Sequence, residues 1–170
     1  NQIWLGGYSI SDSSGNKTED SYGGFDFWIV SIDDNGNKNW DKNFGGKEDD
    51  FLEEIRPRNH SDGFWIAGTT NSKSTGNKSS GGYNNGDFWI LNVDDSAIVK
   101  FDRTFGSNGS ETLKDMEISP EGSAIIAGYS NGSGGSKISG NNGGFDNWII
   151  KVDTNGIKFW DYNYGGAAND

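Results

Sequence analysis

The sequence has no cysteine among its 170 residues, which excludes disulfides, thiolate metal sites and cysteine nucleophiles. Histidine occurs once, at His60, so no histidine pair is available to a metal. Aliphatic residues are scarce, with four Leu and four Val, and no apolar run approaches the roughly 18–20 residues of a membrane-spanning helix. Positive charge is also short: 14 Lys and Arg face 25 Asp and Glu, a net charge of −11. Phosphate contacts require clustered Lys and Arg, so the chain is a poor general binder of nucleic acid. It opens on Asn1-Gln2-Ile3-Trp4 with neither an initiator Met nor a signal peptide, and reads as a segment of a longer protein.

Few aliphatics and a high net charge would ordinarily mark a disordered chain. The aromatics argue against that: 7 Trp, 6 Tyr and 10 Phe make up 14 % of the sequence. Each such ring can bury a large apolar area. The expectation is a folded chain with a sparse, bulky core.

Self-similarity dominates what is present. Three segments align almost without gaps: Asp26 to Asp50 (DFWIVSIDDNGNKNWDKNFGGKEDD), Asp87 to Glu111 (DFWILNVDDSAIVKFDRTFGSNGSE) and Asp146 to Asp170 (DNWIIKVDTNGIKFWDYNYGGAAND). Upstream of each lies a second match, at Ile3 to Ser9, Phe64 to Thr70 and Ala124 to Ser130. The period is close to 60 residues.

Within a period the apolar runs are short, rich in Ile, Val, Phe and Trp, and bounded by Gly, Asn, Asp and Ser, which are strand and hairpin signals. Asp33-Asp34-Asn35-Gly36 and Asp153-Thr154-Asn155-Gly156 are hairpin turns, because Asn-Gly tolerates the positive φ such turns need. Lys47 to Arg56 carries Phe51, Leu52 and Ile55 at helical spacing; a short, bulged strand is the favoured reading and a helical turn the alternative. Gly supplies 27 of the residues, which disfavours helices elsewhere. Four antiparallel strands per repeat predict an all-β fold of β-propeller blades, about three blades and 11 strands. Residues 1–48 form a blade lacking its first strand, and 49–109 and 110–170 form full blades. Trp28, Trp89 and Trp148 recur at one position, as do Trp40, Phe101 and Trp160, and Phe44, Phe105 and Tyr164; these rings are expected to fill the space between blades. Asp26, Asp87 and Asp146 are expected to accept bonds from backbone N–H groups in the preceding turn.

The pattern GGYS…SGNKTE…GGFDFWIVSIDDNGNKNWDKNFGG resembles the repeats of secreted Bacteroidota cell-surface proteins, many of which end in a type IX secretion sorting domain. The resemblance covers essentially all 170 residues. It implies an extracellular β-propeller segment without catalytic activity, continuous with further blades. Two places depart from the pattern: Asp95-Ser96-Ala97 stands where the Asn-Gly turn is expected, and Gly132 to Gly135 loosens the third long loop. The tripeptide Asp95-Ser96-Ala97 resembles the O-glycan acceptor of these bacteria.

The long loops, Ser9 to Phe25, Asn71 to Gly86 and Asn131 to Phe145, are the candidate ligand-binding elements. They share Gly-x-Lys, which singles out Asn16, Lys17, Asn77, Lys78 and Lys137 for contact with an anionic glycan or a neighbouring blade. The structural alternative is a loop folded over its own blade with Lys capping carbonyls. No metal or other cofactor is expected. The Asp33 loop lacks the spacing of an EF-hand, its twelfth residue being Phe44; a calcium site from Asp12, Glu19 and Asp20 is the one metal alternative. His60 sits beside a turn and is read as exposed rather than catalytic. The functional expectation is a non-enzymatic adhesion or binding scaffold for an extracellular protein or polysaccharide, with a glycan-active propeller enzyme and a filament spacer as alternatives.

Overall fold

The computed structural model describes residues 2–58 and 63–170. His60, and the Ser61-Asp62 part of the turn it adjoins, lie outside the described residues. Among the described residues, eleven antiparallel strands form three sheets. The first sheet holds β1 (Ile3–Ser9), β2 (Asp26–Ile32) and β3 (Lys38–Phe44). The second holds β4 (Asp50–Pro57), β5 (Phe64–Thr70), β6 (Asp87–Val93) and β7 (Val99–Phe105), in that order. The third repeats it with β8 (Glu111–Ile118), β9 (Ala124–Ser130), β10 (Asp146–Val152) and β11 (Lys158–Tyr164). No closed ring of sheets forms among the described residues.

The segment with helical spacing is strand β4, and its register shifts between Leu52 and Glu54. β8 shifts at the equivalent place, between Leu113 and Asp115. One extra residue on the bulged strand lets two neighbouring apolar side chains face inward, so a helical spacing is imitated without a helix. Leu113 and Met116 are both fully buried on β8.

The hairpins between β2 and β3 and between β10 and β11 turn as the Asn-Gly pairs predict, with Gly36 at φ +83° and Gly156 at φ +81°. In the middle sheet the same position is Ala97 at φ +59°. A left-handed residue with a Cβ costs about 1–2 kcal/mol, and here it is held by a bond from Ala97 N to Asp94 O at 2.9 Å and by a methyl buried in the core.

Two apolar cores lie between the sheets. Phe27, Ile29 and Phe44 of the first sheet meet Leu52, Ile66, Trp89 and Leu91 of the second. Trp65, Phe88 and Ile90 meet Leu113, Met116, Ile126 and Trp148 of the third. Two of the three recurring tryptophans pack between sheets: Trp89 and Trp148 are fully buried, and Phe27 and Phe88 lie 4.7 and 5.0 Å from them, centroid to centroid. Trp28, against expectation, is half-buried and belongs to neither core, because no further sheet among the described residues packs on its face of the first sheet. Tyr164, the third member of the Phe44 and Phe105 set, is instead exposed on β11. β4 lies against β1, and β8 against β4. Their charged side chains meet across the gap, Lys114 Nζ standing 3.0 Å from Glu53 Oε1.

Candidate functional site

The acids that open β2, β6 and β10 do accept backbone bonds from the turn before them. Asp26 Oδ2 takes Tyr22 N at 2.6 Å, Asp87 Oδ2 takes Tyr83 N at 2.7 Å, and Asp146 Oδ2 takes Asn142 N at 2.7 Å. The other oxygen of each has no hydrogen-bond partner among the described residues and faces the Cα of Gly45, Gly106 or Gly165, where a methyl group would overlap it. Burial raises the Asp87 carboxyl to about 6 and raises Asp26 as well.

A second acid in each repeat ties the long loop to its own sheet. Asp102 accepts Trp89 Nε1 at 2.9 Å together with Ser80 N at 2.9 Å. Asp41 does the same with Trp28 Nε1 and Thr18 N, and Asp161 with Trp148 Nε1 and Ser139 N. The loops are therefore fastened at mid-length.

Gly-x-Lys splits into two roles. The middle residue reaches the neighbouring sheet: Asn77 Oδ1 accepts Gly45 N at 2.9 Å while its Nδ2 donates to Asn43 O at 2.8 Å. Ser136, one repeat on, accepts Gly106 N at 2.9 Å. Asn16 is exposed, and its carbonyl accepts the Lys38 ammonium. The lysines turn inward: Lys17, Lys78 and Lys137 are all buried. Lys17 donates to Glu19 O, Lys78 to Ser80 O at 2.6 Å and Thr104 Oγ1 at 2.8 Å, and Lys137 to Ser130 Oγ at 3.0 Å. Burial lowers the pKa of Lys78 and Lys137, against the pull of nearby acids. Of the five candidate residues, the structure thus brings the lysines onto loop carbonyls and hydroxyls, and Asn77 onto the next sheet.

The acids considered for calcium are spread over separate loop contacts. Asp12 Oδ1 accepts Ser21 N at 3.2 Å, Asp20 Oδ1 accepts Ser13 N at 2.9 Å, and Glu19 Oε1 accepts Lys42 Nζ at 2.6 Å. Among the described residues no group of three or more His, Cys, Asp or Glu could hold a metal ion. Ser96 is exposed in the β6–β7 turn.

The concave surface lies elsewhere, at the rim where the sheets meet. One cleft of about 470 Å³ runs from Tyr8 and Phe51 across Thr69, Asn71 and Gly86 to Thr112 and Lys114. A more polar one of about 560 Å³, lined by Lys47, Asp49, Lys73 and Thr75, adjoins it and shares Asn71 and Asn85. Small-ligand clefts span about 300–1,000 Å³.

The first cleft exists because the middle repeat departs from its neighbours. Tyr8, Phe25 and Phe51 form a ring cluster with centroids 5.1 to 5.7 Å apart. One repeat on, the equivalent positions are Thr69, Gly86 and Thr112. Three rings are lost at one spot, and Tyr8 and Phe51 are left facing the resulting space. The loss is locked in by the backbone. Gly86 has φ +72°, and a Cβ there would lie 2.6 Å from Glu111 O. Thr69 Oγ1 accepts Leu113 N at 2.9 Å, a bond across the sheets that no ring could make.

No family model matches the chain, and no curated protein matches it. The cleft is marked in the sequence not by what recurs but by a departure: Thr69, Gly86 and Thr112 stand in repeat columns whose preceding members are Tyr8, Phe25 and Phe51.

Proposed function

We propose that the chain is a non-catalytic segment of an extracellular β-propeller, part of a larger secreted surface protein that binds a glycan or protein partner. The observation that carries the propeller reading is the recurrence of one strand order in successive sheets, with the first strands β4 and β8 lying side by side. Four-stranded antiparallel sheets of recurring strand order are the units from which a propeller is built by radial repetition. Extracellular location and secretion rest on the resemblance of the repeats.

Binding rather than catalysis is favoured by how the acids are committed. Glu53 pairs with Lys114, and Glu111 is buried and accepts Ser107 N at 2.8 Å and Ser130 Oγ at 2.8 Å. Asp87, the carboxyl raised to about 6, is buried beneath its own loop. Glycoside hydrolysis needs two acids flanking one bond, and the cleft offers Glu53 with its charge already paired. The spacer reading keeps one specific support, the fastening of all three long loops onto the sheets.

Electron microscopy of the native polypeptide, with protein and glycan arrays probed by the same material, tests the proposal. A ring of blades with reproducible binding is expected. Silence on both arrays would leave the spacer, and an open stack of sheets would overturn the propeller.

A further inference from the structure

The cleft between the Tyr8–Phe51 pair and Thr112 has a chemistry that selects among ligands. Lys114 Nζ and Glu53 Oε1 stand 3.0 Å apart and offset each other, while Glu111, a second carboxylate, is buried with its oxygens on Ser107 and Ser130. An anionic ligand would have to break the Lys114–Glu53 pair beside that second acid. The other groups of the lining are neutral. Asn71 Oδ1 is held by Gly86 N at 2.8 Å, which leaves its Nδ2 as a donor without a partner among the described residues. Asn85 is exposed at the same rim, where the other two repeats carry Gly24 and Gly144. Thr112 and Ser110 bring hydroxyls, and half-exposed Tyr8 brings an aromatic surface braced edge-on by Phe25 and Phe51. Amide and hydroxyl groups beside an aromatic wall match a sugar ring, which has a polar rim and an apolar C–H face. The concavity suits a narrow chain better than a flat protein epitope, whose stable interfaces bury about 800 Å² per partner.

We infer that this cleft binds a neutral oligosaccharide, with Tyr8 and Phe51 as the stacking wall and Asn71 and Asn85 as hydroxyl-recognising amides. The inference rests on reading the chain as an extracellular binding scaffold and names the class of partner. Selectivity comes from the repeat that lost its rings: the equivalent space on the preceding side is filled by Phe25 and Phe51.

The test is an NMR titration of the chain with cellotriose, chitotriose and mannotriose, and with a galacturonic acid trimer as the charged control. The expected result is that at least one neutral trimer shifts the Asn71 and Asn85 side-chain amides while the charged trimer does not. Thr112→Phe restores the ring found at Phe51 and should weaken binding at least about tenfold, the loss of roughly 1.4 kcal/mol. Asn85→Gly, which restores the glycine of the other repeats at an exposed position, should weaken it severalfold with folding intact. No response to any neutral trimer overturns the cleft assignment, and so does binding that survives both substitutions. Sugar binding insensitive to both, or a protein ligand bound equally by Thr112→Phe, leaves the scaffold reading standing and places its contact surface elsewhere.

Discussion

Trp89 donates its indole Nε1–H to Asp102 Oδ2 across 2.9 Å, and both residues are buried. Through that one carboxylate the core of the second sheet is joined to the loop that crosses its edge, because Ser79 and Ser80 bond the same group. Trp65 is equally buried, yet its Nε1 has no partner among the described residues. Trp89→Phe should therefore cost more than Trp65→Phe by about 1–3 kcal/mol. Urea denaturation followed by far-ultraviolet circular dichroism checks this, and equal losses would mean that the Trp89–Asp102 bond adds nothing.

Lys78 is the clearest case of a structural ammonium. Lys78→Met removes the donor serving Ser80 O, Gly81 O and Thr104 Oγ1 and should destabilise by about 1–3 kcal/mol, with faster amide exchange across residues 71–86. Lys73→Met, an exposed neighbour in the same loop, should leave exchange unchanged. Hydrogen exchange read by mass spectrometry distinguishes the two variants.

Glycine at a turn is worth different amounts in different repeats. Gly36 has open space where a Cβ would go, so Gly36→Ala pays the left-handed backbone cost of about 1–2 kcal/mol. At Gly156 the added methyl would also lie 2.6 Å from Phe101 Cε2. Gly156→Ala should lower the melting temperature well beyond Gly36→Ala; matching shifts would show that Phe101 moves aside freely.

Stability should fall as pH rises from about 4 to 7. Asp87 has a folded pKa of about 6 against 3.8 ordinarily, raised first by burial and further by the nearby Glu111 carboxylate. The folded chain then holds a proton that the unfolded chain has released, so each step upward through this window favours unfolding. Burial opposes the charge of Asp161 too, but bonds from Lys158, Trp148 and Ser139 bring its pKa down to about 2, and its contribution is lost only as pH falls below 4. Asp87→Asn should flatten the slope between pH 4 and 7 in thermal melts; an unchanged slope assigns the proton elsewhere.

The period, the strands and the hairpins were legible because they depend on local chemistry repeated three times. Asn35-Gly36 turns wherever it occurs, and Asp87 reaches N–H groups only four residues away. Bulged β4 was legible as a strand for the same reason. The inward course of Lys78 was harder to read, since its acceptors include Thr104, 26 residues away. The cleft was least legible of all. Thr69, Gly86 and Thr112 are unremarkable in their own segments and become one space only when β5 and β8 pack together.

Burial along the stack is uneven, with all seven residues of β6 enclosed while β1 has no fully buried residue. A layer with a neighbour on each face is stabilised from both sides. The layer so held here is the second sheet, and it carries Thr69 and Gly86 at the rim.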